Sequence, residues 1–448
     1  MRRYGLTLLV GLLFLGQTIR ITIPLVQYHS TAILPNDLGL AAMVILFVLQ
    51  KLSKRNLFVR NGALTKTILA FIIVSLVSLL INFNYYYLSS HQFAVSLLYF
   101  GRWVLYCCAF FLVVELVRSP QAVRKLSASL SVGLLVFAAF GVLQAIFLPD
   151  FAIMIHPEEP WDRQGYRLVS TFFDPNLAAC LLGVGLAFAV AFFAEGYRRA
   201  WYAVVLFGTA LILTYSRGGL LSFAAGYLYL IIAGKTKRRA MVAIFLVGLI
   251  LFLAAPYLLW HAEEYGKLTI SDASSQGRVD SWWFCVELIR DNFVFGIGFD
   301  TLPYVMPRYY HYFASGYYTG EGATAFGLAG GGLLFIFALT GVFGCALYTY
   351  LFAKVCWMSH VVAKNSTDRF FRVLGKGTFA STIIVVVSSM FTSSMLYVFI
   401  MEFFWFLYGL LNFAYVSVQR AKASQAVAAA RQPLRRPVPI RAPAPAVR

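Results

Sequence analysis

Long apolar runs alternate with short polar interruptions from one end of the chain to the other. The runs fall near 4–26, 36–50, 64–82, 94–114, 127–148, 177–196, 200–215, 218–233, 240–261, 327–353, 374–392 and 395–417. A bilayer core takes about 20 residues of helix, so the pattern predicts twelve spans. The 36–50 run is short. The stretch 200–233 would be a single run but for Thr214-Tyr215-Ser216-Arg217-Gly218-Gly219, where it divides. The predicted fold class is an all-α polytopic membrane protein of about twelve transmembrane helices.

One polar interruption, 262–326, is far longer than the others. Loops of that length are functional or disordered, and this one is too rich in Trp, Tyr and Phe for disorder. The expected organisation is therefore N-terminal spans over 1–148, central spans over 149–261, the large loop over 262–326, C-terminal spans over 327–418, and a basic tail over 419–448. The tail's Ala, Pro and Arg predict disorder and contact with anionic lipid.

Composition supports this reading. The chain is 60% hydrophobic and 12% charged, with a mean hydropathy of +0.75, which excludes a soluble domain. A net charge of +19 invites a nucleic-acid reading, but its distribution excludes it. With the N-terminus placed in the cytoplasm, all but nine of the 37 Lys and Arg fall in inner segments, as the positive-inside rule requires. Removing the division at Ser216 would place every later basic cluster outside. Both termini are thus expected inside. Arg2 and Arg3 precede an apolar run that no small-residue cleavage site follows, so that run is expected to be the first span.

The nine exceptions are Arg20, Arg102, Arg163, Arg167, Arg217, Lys267, Arg278, Arg290 and Arg308. Arg20 and Arg102 lie within apolar runs, where a charge costs about 2.5–3.5 kcal/mol on insertion scales. Such residues face a cavity or a partner, or snorkel to the interface. Asp174-Pro175-Asn176 reads as a helix start, with a cap and a proline before an apolar run. Arg163 and Arg167, just upstream, are placed to reach an anion at that helix N-terminus. Arg217 breaks the charge rule, and Gly218-Gly219 behind it allows close backbone approach.

Within the long loop, Val279, Trp282, Trp283, Val286, Ile289 and Phe293 recur at helical spacing. They predict an amphipathic helix on the membrane surface, its tryptophans at headgroup depth. Arg278 and Asp280, at its start, are what packing leaves unexplained. Gly296-Ile297-Gly298 predicts a tight turn. The tyrosines around His311 and Glu321 suit either stacking on sugar rings or an ordinary membrane interface. None of the six cysteines has zinc-ligand spacing, and no carboxylate cluster demands a metal.

The series Arg167…Thr171-Phe172…Pro175-Asn176-Leu177, Tyr215-Ser216-Arg217-Gly218, and Gly277-Arg278…Trp282…Ile289-Arg290-Asp291…Gly296-Ile297-Gly298-Phe299 resembles the O-antigen ligase and O-antigen polymerase superfamily, in order, spacing and sidedness. The resemblance covers about 160–345. It implies a dozen helices in the bacterial inner membrane with a large periplasmic loop. It also implies transfer of a glycan from an undecaprenyl diphosphate carrier to a glycan or lipid acceptor, with no metal or other cofactor. Arg217 and Arg278 match family arginines that hold the diphosphate, and Arg167 matches a third. Partners would be the lipid-linked glycan, membrane lipids and other polysaccharide assembly proteins.

The sequence departs from the family at one place. Ligases carry a His-Asn pair at the start of the span after the long loop; here that slot falls near Gly330-Gly331. Glu321 and His311, with Asp280 behind them, become the candidate general bases toward the acceptor hydroxyl. The missing pair tilts the expectation from ligase toward polymerase. A lipid or polysaccharide transporter is the alternative of another class; it would concentrate ionisable groups inside spans and show repeat symmetry, and neither pattern is evident.

Overall fold

The computed structural model describes residues 4–26, 29–55, 60–157, 166–233, 272–306, 308–309 and 330–431. Among these are fourteen α-helices and one two-stranded hairpin. The order is α1 Gly5–Leu15, β1 Ile21–Val26, β2 His29–Ile33, α2 Pro35–Ser53, α3 Thr65–Tyr85, α4 Ser90–Leu116, α5 Pro120–Phe147, α6 Phe151–Ile155, a 3-10 turn Ser170–Phe172, α7 Pro175–Ala194, α8 Ala200–Leu213, α9 Arg217–Ala233, α10 Asp272–Asp291, α11 Leu302–Val305, α12 Leu333–Asn365, α13 Arg369–Ser388 and α14 Val398–Arg431. Eight of these helices are long and apolar enough to cross a membrane, and α1, α8 and α9 are shorter apolar helices. Together they account for eleven of the twelve runs; the run at 240–261 lies outside the described residues. The protein is an all-α polytopic membrane protein.

Local chemistry sets the helix starts. Ser89 accepts the Gln92 amide while Gln92 accepts the Ser89 amide, a capping box opening α4. Ser119 and Asp174 cap α5 and α7, each with proline next. The division at Ser216 is present: α8 ends at Leu213, α9 begins at Arg217, and Tyr215 turns the chain at φ 50°.

The core runs the length of the bundle around α14, whose residues Phe399 to Leu411 are buried almost without a break. A smaller apolar cluster lies at one end, where Phe284, Cys285 and Leu288 of α10 pack with Phe335, Ala338 and Leu339 of α12. The predicted helix is present as α10, and the side that packs on protein is not the predicted stripe. Ser281, Phe284, Cys285 and Leu288 form the buried side of α10, while Val279, Trp283, Val286 and Phe293 are exposed. The helix is apolar on two sides; one packs on protein and the predicted stripe is turned away from it.

Two further expectations change. The first apolar run is not one helix: α1 stops at Gly16, and the β-branched Ile21, Thr22 and Ile23 favour the strand that pairs with Thr31 to Ile33. Arg20 therefore sits between helix and strand. At the other terminus α14 continues through Arg431, so 420–431 is helical rather than disordered, as its alanines permit. The residues after Arg431 lie outside the described part.

The ends of the bundle differ in charge. At one end Glu115 receives Lys51 at 3.0 Å and Arg118 at 2.8 Å. There Glu195 receives Arg372 at 2.9 Å and Lys376 at 2.8 Å, and Asp368 receives Arg124 at 2.6 Å. The opposite end gathers the starts of α2, α4, α7, α9, α12 and α14. There α12 breaks at Gly341, φ 70°, and residues 293–298 strap across the break. Val342 donates to Phe293 at 3.0 Å, Ile297 to the Ala338 carbonyl at 2.8 Å and Gly298 to Leu339 at 3.0 Å. Asn82 of α3 donates to the Gly296 carbonyl at 2.9 Å. Gly296 and Gly298 hold φ of 66° and 98°, and a Cβ on Gly296 would lie 2.5 Å from the Leu339 carbonyl carbon. The predicted Gly-Ile-Gly turn is this strap.

Candidate functional site

The polar end is built on the N-termini of α7 and α9. Asp174 caps α7, its Oδ1 accepting from the Asn176 and Leu177 amides at 2.7 and 2.8 Å. The chain reaches Asp174 through two left-handed residues, Ser170 at φ 52° and Phe173 at φ 58°. Gln144 holds that turn by accepting from the Val169 and Ser170 amides. Upstream, Leu168 donates its amide to the Leu213 carbonyl at 2.9 Å, and Arg167 Nε donates to the Thr214 carbonyl at 3.0 Å. Arg167 is thereby fixed against the end of α8.

Ser216 caps α9 by accepting from the Gly219 amide at 3.1 Å, which leaves Arg217 exposed in the first turn. The two glycines behind it serve close packing. Gly219 meets Ala179 of α7, and a Cβ on Gly218 would lie 2.8 Å from Phe391 Cβ. Phe391 belongs to the turn between α13 and α14. The Arg278 guanidinium lies 6.0 Å from its ring centroid, and Trp282 Nε1 donates to the neighbouring Met390 carbonyl at 2.9 Å. Through these contacts the long-loop helix α10 delivers Arg278 to the starts of α7 and α9.

The electrostatics show the convergence. Burial pushes the Arg167 guanidinium down to about 10; Asp174 opposes the shift and Arg278 adds to it. Burial lowers Arg278 too, assisted by Arg217 and opposed by Asp174. Asp174 is raised by burial against the pull of its two amide donors and of Arg167 and Arg278. Arg167 and Arg278 thus share the Asp174 carboxylate in a partly dry place, and Arg217 lies within reach of Arg278. Positive charge thus gathers at the starts of α7 and α9, the ends of helices at which the dipole favours an anion.

The sequence-predicted residues divide accordingly. Arg167, Arg217 and Arg278 come together. Asp280 is part-buried on α10, but two residues along a helix differ by about 200° in direction, so it does not share the Arg278 face. Arg163, His311 and Glu321 lie outside the described residues. Of the two arginines in apolar runs, Arg102 pairs with Asp37 at 2.7 Å and Arg20 Nη1 donates to Gln17 at 3.0 Å; each faces a partner. Reading the sequence assigned Asp174 only a capping role. It overlooked Met390, Phe391 and Tyr397, which no charge or motif marks.

The slot of the family His-Asn pair has a physical reason for its composition. Gly330, Gly331 and Gly332 hold φ of 101°, 118° and 52°. Gly332 donates its amide to the Ser389 carbonyl at 2.8 Å, and a Cβ at Gly330 would collide with the Met390 carbonyl. A histidine does not fit that backbone.

No curated protein matches the chain. Residues 202–349 match the family model described as O-antigen ligase; the stretch contains Arg217, Arg278 and the glycine slot, and stops short of Arg167 and Asp174 on the N-terminal side. Over this segment the match supports the resemblance to the O-antigen ligase and O-antigen polymerase superfamily.

Proposed function

We propose that the protein polymerises undecaprenyl-diphosphate-linked oligosaccharide repeats into a cell-surface polysaccharide at the periplasmic face of the bacterial inner membrane. The observation that carries this reading is the convergence of Arg167 and Arg217 on Arg278, with Asp174 beside Arg167 and Arg278. Three cations and one carboxylate leave about two units of positive charge, which complements a diphosphate diester bearing two negative charges. The sidedness follows from the basic clusters at the far end of the bundle.

In the reaction the acceptor hydroxyl displaces the diphosphate from the anomeric carbon. Charge grows on the departing oxygen as that bond breaks. Arginines already aimed there stabilise the change without reorganising, each charge-assisted hydrogen bond contributing about 1.5–3 kcal/mol.

Ligation of a finished glycan to a lipid A core or other acceptor is the second reading, favoured by the description of the matching family model. The glycine slot at 330–332 favours polymerisation, because the ligase pair is replaced by a backbone that refuses it. Glycan lengths in cells with and without the protein separate the two. Single repeats and no long chains in its absence mean polymerase; long chains stranded on the lipid carrier mean ligase. Unchanged glycans in both pools would sink both.

A further inference from the structure

A crevice of about 180 Å³ lies toward the basic end of the bundle, away from the arginine site. Its floor is α14, at Phe403 and Leu407; its walls are α5 on one side and α7 and α13 on the other. The α5 wall is made of small side chains, Ser127, Ala128 and Ser131, which are neighbours on one helix face. The opposite wall carries Phe188, Phe192 and Phe370. Phe370, Phe403 and Leu407 are buried, whereas Ala128 and Ser131 are exposed. The crevice therefore opens sideways along α5.

Its length matches one leaflet. Arg124 and Leu134 stand at the two ends of the α5 wall, and the helix rises about 15 Å between them. The hydrocarbon of a bilayer is about 30 Å thick, so the crevice reaches from the rim to about mid-depth. Apolar cavities of this size stay dry and accept hydrocarbon. In a transmembrane bundle, a side opening at this depth meets lipid chains.

The mouth is polar in a definite order. The Arg124 guanidinium lies 4.7 Å from the Phe370 ring centroid, and its Nη2 donates to Asp368 at 2.6 Å. Lys125 and Arg369 are exposed beside this pair, so three cations stand against one carboxylate. One turn deeper, Ser127 Oγ is buried in the crevice wall and has no hydrogen-bond partner among the described residues. A serine inside a helix ordinarily returns its hydroxyl to the carbonyl four residues back, as Ser129 does to Lys125 at 3.2 Å. A buried hydroxyl without a partner is costly, and packing gives no reason for one at position 127.

We propose that the crevice binds an anionic glycerophospholipid of the leaflet at the basic end. Its phosphate meets Arg124, an ester carbonyl accepts from the Ser127 hydroxyl, and one acyl chain runs along the aromatic wall toward Phe403. Phosphate, then ester, then hydrocarbon is the order of a diacyl lipid from the surface inward, and cation, hydroxyl, apolar wall is the order of the crevice. An isoprenoid phosphate brings the first and last of these but no ester, and leaves Ser127 unanswered. The excess of cations at the mouth favours a net negative headgroup over a zwitterionic one. The site lies apart from the arginines and does not depend on the transfer reaction inferred above.

The test titrates the purified, delipidated full chain in detergent with phosphatidylglycerol, phosphatidylcholine, undecaprenyl phosphate or inorganic phosphate, and counts bound molecules by native mass spectrometry. Wild type is expected to retain one phosphatidylglycerol, bound about fivefold more tightly than phosphatidylcholine. Arg124→Ala is expected to erase that preference, whereas Asp368→Asn, which frees the arginine and can still cap α13, is expected to keep or increase it. A salt bridge with only a structural role would make these two variants alike. Ser127→Ala is expected to weaken binding of both diacyl lipids about fivefold, and Ala128→Phe, which fills the crevice, to abolish it. If Ala128→Phe does not fold, Ser127→Ala and Arg124→Ala decide the matter. Undiminished phosphatidylglycerol in Ala128→Phe, or in both of the other two, overturns the proposal. Tighter binding of undecaprenyl phosphate than of phosphatidylglycerol, or displacement of phosphatidylglycerol by inorganic phosphate alone, overturns it as well.

Discussion

Ser216 donates its hydroxyl hydrogen to Asn176 Oδ1 across 2.8 Å, and so ties the start of α9 to the start of α7. The same oxygen caps α9 through Gly219. Arg217 and Asp174 flank this tie, one residue after Ser216 and two before Asn176, so it fixes their spacing. Asn176→Ala removes only the tie, whereas Ser216→Ala removes the tie and the cap. The cap is worth about 1 kcal/mol. Transfer is expected to fall in both variants, by about tenfold for a misplaced charge, with a lower Tm only for Ser216→Ala. Full activity in Asn176→Ala would show that the tie does not position the arginine.

The arginine triad predicts a substitution pattern that a point-charge site would not show. Removing one charge-assisted bond to a diphosphate costs about 1.5–3 kcal/mol, or roughly ten- to 150-fold in transfer rate. Arg278→Ala and Arg217→Ala are expected in that range or beyond. Arg278→Lys is expected to recover little, because a lysine cannot reproduce the planar fork or the contact over Phe391. Rates with donor in excess are the measurement. An Arg278→Lys protein as fast as wild type would mean that only charge matters.

The arginines could be read from the sequence because they break a rule: a cation on the outer side of the membrane stands out against positive-inside bias. The division at Ser216 was legible for the same reason, since one fewer turn would invert the later loops. What could not be read is pairing across distance. Asp37 and Arg102 are 65 residues apart, and nothing in either apolar run names its partner. The protein-facing side of α10 was not legible because both of its faces are apolar, and periodicity alone cannot say which meets protein. The first span was overextended because a hydropathy run does not distinguish a helix from the β-branched strand that follows Gly16.

The glycine slot predicts that the family histidine cannot simply be restored. Gly330→His places a Cβ against the Met390 carbonyl on a backbone at φ 101°. Strain of this kind costs about 1–3 kcal/mol before any side-chain clash. The variant is expected to lose thermal stability and transfer, and Gly330→Ala to lose nearly as much. Gain of ligase activity in Gly330→His, measured with a lipid acceptor, would contradict this account.

Glu402 and Asn36 form a pair wholly removed from solvent. Asn36 Nδ2 donates to Glu402 Oε2 at 2.9 Å, while Asn36 Oδ1 and Glu402 Oε1 have no donor among the described residues. Two facing acceptors are satisfied together if Glu402 carries a proton on Oε1, giving a cyclic acid–amide pair. A glutamine keeps this shape and supplies the donor. Glu402→Gln is therefore expected to match wild-type Tm, whereas Glu402→Ala leaves Asn36 unpaired and costs about 1–3 kcal/mol. A Glu402→Gln protein as unstable as Glu402→Ala would mean that the carboxylate charge itself is needed.

Asp300 makes a prediction about stability. Its carboxyl is raised by burial to about 7, against about 3.9 in an unfolded chain. A raised acid disfavours the charged form in the folded state. Its cost is absent below the unfolded value, grows as pH rises between the two, and is complete above pH 7. Asp300→Asn removes the charge at every pH. The variant should therefore melt above wild type at pH 8, and the difference should shrink as pH falls toward 4. A three-unit shift sets a ceiling of about 4 kcal/mol; because the group is partly exposed, the expected gain is nearer about 1–2 kcal/mol. Thermal melts of both proteins at pH 4.5, 6 and 8 measure it. An Asn variant that melts below wild type at pH 8 would mean that the Asp300 carboxylate holds the strap in place.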